Sequence, residues 1–240
     1  AMADAAGAEA ALLGRHTTGD LVARMDSALT LANLFTTHEA QTETCFRTQV
    51  DELQGIAELG HAGAMNLNEP RLAGGVFYGH WSLDITTLLT NTTGFSGAAL
   101  ATADRTVAAE LAARLVMLTA TVGPTARLTQ NASSTCADLL VLEIGTAPGC
   151  NLGRAFTETC EPTVSAAIQR LEQHIARQDA AYGRHWLRAV TRIPDCTIPG
   201  AERMPLADLA ETARHAVLEI DQVAPAVPAP QGTPRRLWAA

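Results

Sequence analysis

Histidines and carboxylates that stand near one another in the sequence are the first residues whose types could do chemistry, because both groups bind the metal ions of hydrolytic enzymes. Their spacing fits no compact ligand pattern, such as two histidines one helical turn apart, and the chain has no GxSxG, P-loop or GxGxxG motif. A metal-dependent hydrolase is therefore only an alternative interpretation, and we expect no catalytic residue, no bound metal and no cofactor. The residues in question are His38, His61, His80, Glu39, Glu43 and Asp84.

A short loop near the N-terminus carries groups that suit binding to phosphate. It reads Gly14-Arg15-His16-Thr17. Glycine permits close approach of the backbone to a ligand, arginine can pair with a phosphate through two hydrogen bonds, and a hydroxyl group is a further donor. The loop is a candidate contact with a nucleic-acid backbone, and a plain turn is the alternative.

An aromatic residue and an arginine stand side by side at Phe46-Arg47, followed by Thr48. On a projecting element, an aromatic ring or a guanidinium plane can stack on a base. The pattern also fits an ordinary amphipathic helix, in which Phe46, Val50 and Leu53 would face the core. Both interpretations stay open at this point.

A tyrosine and a polar loop complete the candidates. Tyr78 alternates with its neighbours in a short strand-like run, so it could stack on a base or fill the core. Arg127, Gln130 and Asn131 lie in a polar loop before an apolar run, where an arginine could neutralise a phosphate. A solvated loop is the alternative for these three residues.

The overall charge of the chain is acidic, which is unusual for a protein that binds nucleic acid. The formal net charge is -8, and all 17 basic residues are arginine. Because phosphate contacts supply much of the affinity for nucleic acid, binding would need a local basic surface. No run of about 18 uncharged apolar residues predicts a membrane span. Five cysteines without a CxxC pair favour the reducing cytoplasm.

The helices and strands that must position these residues follow one another in mixed order, which predicts the α+β class. Apolar residues at three- and four-residue steps predict helices, and apolar runs closed by glycine or proline predict strands. The alanines of residues 7–14 favour a helix. The other predicted helices are 18–35, 82–89, 104–121, one that begins at Pro162, and 205–220; the predicted strands are 75–81, 137–144 and 185–193.

Short blocks of sequence recur in an order that is typical of one family. They are Gly14-Arg15, Thr37-His38, the segment 46–54 (FRTQVDELQ), the segment 75–78 (GVFY) and Ala137-Asp138. In order and separation they resemble the CasC-type crRNA-binding backbone subunit of the type I-E CRISPR Cascade complex. The resemblance covers about residues 7–220, which correspond to about the last two-thirds of a typical family member. We therefore expect the N-terminal portion of the family to be missing.

The resemblance implies a modified RRM-like (ferredoxin-like) core that lacks the family's N-terminal strand and carries a thumb-like insertion at about residues 38–72. It places a strand at residues 7–14, where the alanines alone favour a helix. We expect one α+β domain over residues 1–222 and a Pro-rich disordered tail over residues 223–240.

The resemblance also implies a function without chemistry, in which the chain coats a CRISPR guide RNA and a thumb wedges the RNA held by a neighbouring copy. The expected partners are the guide RNA, other copies of the chain in a helical backbone, other Cascade subunits and, through the guide, target DNA; we expect no membrane. The alternative is a truncated remnant that oligomerises without binding RNA. The residues expected to contact RNA are Gly14, Arg15, His16, Thr17, Phe46, Arg47, Thr48, Tyr78, Arg127, Gln130 and Asn131.

Overall fold

Helices and strands are mixed along the whole described part of the chain. The computed structural model describes residues 7–16, 24–49, 66–123, 135–146, 149–184, 186–220 and 238–239. In chain order the elements are α1 (Ala8–Leu13), β1 (Leu29–Leu31), β2 (Phe35–Thr36), β3 (Thr42–Thr44), β4 (Arg47–Gln49), β5 (Asn66–Asn68), β6 (Arg71–Ala73), β7 (Phe77–Tyr78), β8 (Trp81–Asp84), α2 (Ile85–Thr93), α3 (Thr106–Thr121), β9 (Leu139–Gly145), α4 (Val164–Tyr182), β10 (Leu187–Arg192), β11 (Ala201–Arg203), α5 (Leu206–Leu218) and β12 (Trp238–Ala239). Short 3-10 helices cover Gly97–Thr102 and Leu152–Phe156.

The larger sheet has six strands in the order β1-β8-β12-β9-β10-β11. All its neighbouring strands are antiparallel except β10 and β11. Its longest ladder joins β9 to β10 and sets Leu142 opposite Ala189. This ladder is the centre around which the two apolar clusters of the protein form.

Helices cover both faces of this sheet. Side chains of a strand point alternately to its two faces. On one face, Leu142 and Ala189 belong to a core formed with α1, α2, α3 and α5. On the other face, Val141 and Val190 belong to a second core formed with α4. The two cores hold the sheet between layers of helix.

A buried arginine links the sheet to α4. Arg188 on β10 donates to Glu143 Oε1 on β9 at 2.7 Å, to both carboxylate oxygens of Asp179 on α4 at 2.9 and 3.1 Å, and to the carbonyl of Pro199 at 2.6 Å. Burial raises the pKa of Glu143, and the positive charge of Arg188 opposes that rise. Because both carboxylates bond directly to the guanidinium group, the triad is a structural link between the sheet and α4.

Three short antiparallel ladders form a two-stranded ribbon that extends from the sheet. β2 pairs with β7, β3 with β6, and β4 with β5. The last two ladders share one register, and between them the N–H of Cys45 donates to the carbonyl of Pro70 at 3.0 Å. No other described helix or strand packs extensively against β3, β4, β5 or β6. The ribbon therefore stands away from the body of the protein.

The α+β class predicted from the sequence is confirmed. Helices predicted at 104–121, after Pro162 and at 205–220 are present as α3, α4 and α5, and the strands predicted at 137–144 and 185–193 are present as β9 and β10. The helix predicted at 82–89 begins later, because the Asp84 carboxylate accepts from the N–H groups of Thr86 and Thr87 and caps it. The strand predicted at 75–81 is divided into β7 and β8.

The helix predicted over residues 18–35 is wrong in its described part, since β1 and β2 lie there. Leu29 is buried opposite Leu83, and β1 pairs with β8 along its whole length. Sheet pairing and burial outweigh the helical spacing of the apolar residues. The strand that the family resemblance places at residues 7–14 is also wrong, because the alanine-rich segment there is helix α1.

The C-terminal residues contribute one short strand to the larger sheet. β12 pairs with β8 on one side and with β9 on the other. Most of the predicted disordered tail, residues 223–237 and Ala240, lies outside the described residues. Among the helices of the described ranges, none combines the length and the apolar character that crossing a membrane requires.

Candidate functional site

The two faces of the ribbon differ in exposure. Residues two apart on a strand share a face with each other and with the residues opposite them. One face is partly buried around Cys45, Pro70 and Leu72. The other is exposed at every described side chain, and we call it the outer face. It carries Thr42, Thr44, Phe46, Thr48, Glu69, Arg71 and Ala73.

Phe46 and Arg71 are neighbours on this outer face. Arg71 lies directly opposite Thr44, so it is diagonal to Phe46, at a separation of roughly 7–8 Å that long side chains can bridge. Phe46 is 68% exposed. No ion pair to Arg71 is present among the described residues. An exposed ring next to an arginine can stack on a base while the guanidinium group pairs with a phosphate.

Arg47 lies on the opposite face of the ribbon from Phe46, because the two are consecutive in an extended chain. Its side chain is half-buried, whereas the side chains of Phe46 and Thr48 are exposed. The two residues predicted as a joint wedge therefore point to different sides. The RNA contact of Arg47 stays a prediction, and the register of the ribbon favours Phe46 and Thr48 on one common surface.

The Gly14 loop is held in place by its backbone. Gly14 has a φ of 78°, and a Cβ there would lie 2.7 Å from the carbonyl oxygen of Met25 and 2.9 Å from the nitrogen of Ser27. Arg15 and Met25 exchange backbone hydrogen bonds of 2.9 and 3.0 Å. The side chains of Arg15 and His16 are exposed. A fixed backbone with an exposed cation suits contact with a phosphate.

Tyr78 lies at the base of the ribbon, inside an aromatic cluster. Its ring centroid is 5.4 Å from those of both Phe35 and Phe156. Its hydroxyl donates to Oδ1 of Asn151 at 3.1 Å. Burial raises the pKa of Tyr78 above its usual value. Of the two roles predicted for this residue, its surroundings favour packing against the second core.

The structure does not bring all the predicted contacts together. The Gly14 loop and the outer face of the ribbon belong to separate parts of the chain, and no hydrogen bond or ion pair joins their described side chains. The polar loop cannot be placed relative to either. Thr17, Arg127, Gln130 and Asn131 lie outside the described residues.

The residues that suggested metal chemistry have structural partners. Both ring nitrogens of His38 bond to backbone groups, and the carboxylate of Asp84 caps α2. Burial lowers the pKa of His80, which favours its neutral form. His61 lies outside the described residues. Within the described ranges, no group of three or more His, Cys, Asp or Glu side chains is arranged to hold a metal ion.

Sequence analysis does not single out Arg71. The alternation of Thr42, Thr44, Phe46 and Thr48 is a strand signal, since β-branched and aromatic residues repeat every second position. That alternation predicts which side chains share a face. Arg71 joins them only once the partner strand and its register are known.

Comparisons with known proteins bear on both family and fold. A family model described as CT1975-like protein matches residues 1–216. A chain of a CRISPR RNA-guided surveillance complex, pre-nicking, is similar with a TM-score of 0.74 and 20% identity, over 89% of this chain and 56% of that one. A chain of a CRISPR RNA-guided surveillance complex is similar with a TM-score of 0.73 and 20% identity, over 87% of this chain and 78% of that one. No curated protein matches the chain.

Those two likenesses show the fold alone, because the sequence identity is low. The chain spans little more than half the length of the first of the two, at 56%.

Proposed function

Since the chain belongs to the CT1975-like protein family, we propose that it is a non-catalytic, RNA-binding structural subunit that coats a CRISPR guide RNA in a Cascade surveillance complex. The observation that carries the proposal is the outer face of the ribbon, where exposed Phe46 and Arg71 lie among threonine hydroxyls. The family match confirms the resemblance that the sequence blocks indicated. The two similar structures, which belong to RNA-guided surveillance complexes, support the same function.

In this proposal the outer face contacts single-stranded RNA without reading its sequence. The ring of Phe46 stacks on one base, and a ring can stack on any of the four bases. Arg71 pairs with a neighbouring phosphate, and Thr44 and Thr48 donate hydroxyl groups to the sugar-phosphate backbone. The other bases remain free to pair with target DNA, as RNA-guided recognition requires.

Two further groups of residues are proposed to hold the RNA backbone. The first is the Gly14 loop, in which the exposed Arg15 and His16 precede Thr17. The second is the loop of Arg127, Gln130 and Asn131, which offers one cation and two amides. Both groups suit contact with phosphate and sugar rather than with base edges.

The fold is proposed to be a modified RRM-like core that carries the ribbon as its thumb, in one domain over residues 1–222. Self-association is proposed to use the open edge of the larger sheet, because β1 is an outermost strand and Leu31 on it is 60% exposed. Other Cascade subunits, and target DNA through the guide, complete the proposed partners. A cytoplasmic location is part of the proposal and agrees with five free cysteines.

A titration of the chain with labelled single-stranded CRISPR repeat-spacer RNA at three salt concentrations tests this function, with duplex DNA as the control nucleic acid. We expect binding that weakens with salt, preference for RNA, and loss of about tenfold or more in affinity for Phe46→Ala, given that stacking on one base contributes ~1–3 kcal/mol. Phe95→Ala is the matched control, because Phe95 is also an exposed phenylalanine but follows α2 and lies outside the ribbon.

Two results would contradict the proposal. A folded chain that forms oligomers but binds no RNA would identify a remnant that has lost its RNA function. Stoichiometric zinc or manganese in elemental analysis of the purified protein, together with hydrolysis of RNA, would identify a metal-dependent hydrolase instead. Equal losses of affinity for the Phe46 and Phe95 variants would show that binding does not use the outer face.

A further inference from the structure

The ribbon joins the body of the protein at a place where its register changes. Beyond this place, residues 42–49 pair with residues 66–73 in one continuous register. Between β2–β7 and β3–β6, residues 37–41 on one strand stand opposite residues 74–76 on the other, so the first strand carries two extra residues. Extra residues of this kind bend a two-stranded ribbon and change its direction.

His38 occupies this bend and is buried, with only 5% of its surface exposed. The N–H of Val76 donates to Nε2 of the ring at 3.1 Å, and Nδ1–H donates to the carbonyl of Glu39 at 2.8 Å. These two bonds connect both strands of the ribbon through one side chain. They also fix the neutral ring with its proton on Nδ1.

Gly75 is the residue that makes room for this ring. A Cβ at Gly75 would overlap Nε2 and Cε1 of His38, whereas a Cβ at the adjacent Gly74 would meet no atom within 4 Å. The ring cannot move aside at low cost, because it is buried and bonded at both nitrogens. Two adjacent glycines thus differ sharply in what a methyl group would do.

Thr37 ties the same bend to the body of the protein. Its N–H donates to the carbonyl of Val76 at 3.0 Å. Its carbonyl accepts from the N–H of Cys160 at 3.1 Å and from the thiol of Cys160 at 3.3 Å. Cys160 precedes α4, so the ribbon is anchored to the layer of helix on that face of the sheet.

We propose that Thr37, His38 and Gly75 form a rigid joint that sets the direction of the ribbon, and that His38 is a positioning residue for Phe46. The second half of this statement rests on the proposed RNA function. Phe46 stands eight residues beyond the joint, roughly 26 Å at 3.3 Å per residue. A rotation of about 10° at the joint moves the ring by roughly 5 Å, which is enough to lose a stacked base. A two-stranded ribbon has little stability of its own, so its direction depends on its anchor.

Hydrogen exchange of the ribbon tests the joint without RNA. In Gly75→Ala we expect the amides of β3 to β6 to exchange about tenfold faster, while α3 and β9 keep the rates of the unchanged protein. Gly74→Ala is the matched control and should exchange like the unchanged protein. Unchanged ribbon exchange in Gly75→Ala, or equal acceleration in both variants, would overturn the joint.

Substitution of His38 gives the same test without a steric clash, in case Gly75→Ala does not fold. His38→Ala removes the acceptor for the N–H of Val76 and should accelerate ribbon exchange. His38→Gln places an amide oxygen near the position of Nε2 and should restore part of the protection. Acceleration by His38→Gln as large as that by His38→Ala would show that bulk, and not the hydrogen bond to Val76, is what the joint needs.

A double-mutant cycle on RNA affinity tests the positioning role. Phe46→Ala should weaken binding about tenfold in the unchanged protein but less than twofold in the Gly75→Ala background, because a misdirected ring no longer contributes. A merely structural joint would leave the effect of Phe46→Ala the same in both backgrounds. If the unchanged protein binds no RNA, the proposed function fails, and hydrogen exchange still decides whether the joint exists.

Discussion

The register of the ribbon decides which of two arginines should contact RNA. Arg71 lies on the outer face with Phe46, and Arg47 lies on the other face. We predict that Arg71→Gln weakens RNA binding and makes it less dependent on salt, and that Arg47→Gln changes neither property. Glutamine keeps a side chain of similar length and hydrogen-bonding capacity, so the comparison isolates the positive charge.

The size of the effect follows from one phosphate contact. Arg71 is exposed, and among the described residues no carboxylate pairs with it, so its guanidinium group is available to a ligand. A hydrogen bond to a charged group contributes about 1.5–3 kcal/mol, and an exposed one lies at the low end, so we expect about tenfold weaker binding at 50 mM salt. One contact with single-stranded nucleic acid accounts for about 0.7 of the slope of log K against log salt. The loss should therefore shrink to about fourfold at 200 mM.

Fluorescence anisotropy with a short labelled RNA at four salt concentrations measures affinity and slope together. Thermal denaturation of each variant checks that the fold persists. The register reasoning is refuted if Arg47→Gln flattens the slope while Arg71→Gln leaves it unchanged. A loss for Arg71→Gln that stays constant with salt would show that the arginine acts through packing and not through charge.

Three further predictions concern the frame that holds the site. Gly14→Ala should lower the free energy of unfolding by about 1–3 kcal/mol in urea denaturation; Gly97→Ala, with a φ of 60° but no atom within 4 Å of the new Cβ, should cost less, and equal losses would contradict the contact. Arg188→Met should cost about 3–5 kcal/mol, because it leaves the carboxylate of Glu143 buried without a cation; a loss below about 1 kcal/mol would show that the fold does not need the triad. Burial lowers the pKa of His80, so the unfolded chain takes up a proton more readily and stability falls as the pH drops below about 6.5. His80→Asn should reduce that acid loss, and an unchanged pH profile of stability would contradict it.

Long elements with a regular pattern were predictable from the sequence, and short ones paired by distant residues were not. The sixteen residues of α3 repeat their apolar side chains on one face, so local pattern and final structure agree. β1 has only three residues, and its partner β8 lies some fifty positions further along the chain. Nothing local distinguishes Leu29 in a strand from Leu29 on a helix, because its burial depends on Leu83.

The ribbon shows the same limit at the level of the site. Residues 46–54 fit a helix by the spacing of Phe46, Val50 and Leu53, and they fit a projecting element by family resemblance. The structure forms strand at the start of this segment, where Thr42, Thr44 and Thr48 alternate with other residues. β-branched residues at every second position favour an extended chain. Which side of the ribbon is exposed depends on Pro70 and Leu72 in the partner strand, so Arg71 could not be assigned from the first strand alone.

The acidic charge of the chain and the proposed binding of RNA can be reconciled by the placement of its arginines. In the described part of the chain, five arginines are engaged in ion pairs with carboxylates: Arg114, Arg170, Arg188, Arg192 and Arg214. These side chains hold the fold together and offer little charge to a phosphate.

Arg15 and Arg71 differ from that set, because both are exposed and neither has an ion pair within the described ranges. One follows a glycine-fixed turn, and the other lies beside an exposed aromatic ring. A net charge of -8 repels RNA as a whole, so few cations in fixed positions must act together with stacking, which salt does not screen. Affinity then depends on where Phe46 and Arg71 are held more than on how many arginines the chain contains, which is why a rigid joint at His38 matters to an acidic RNA-binding protein.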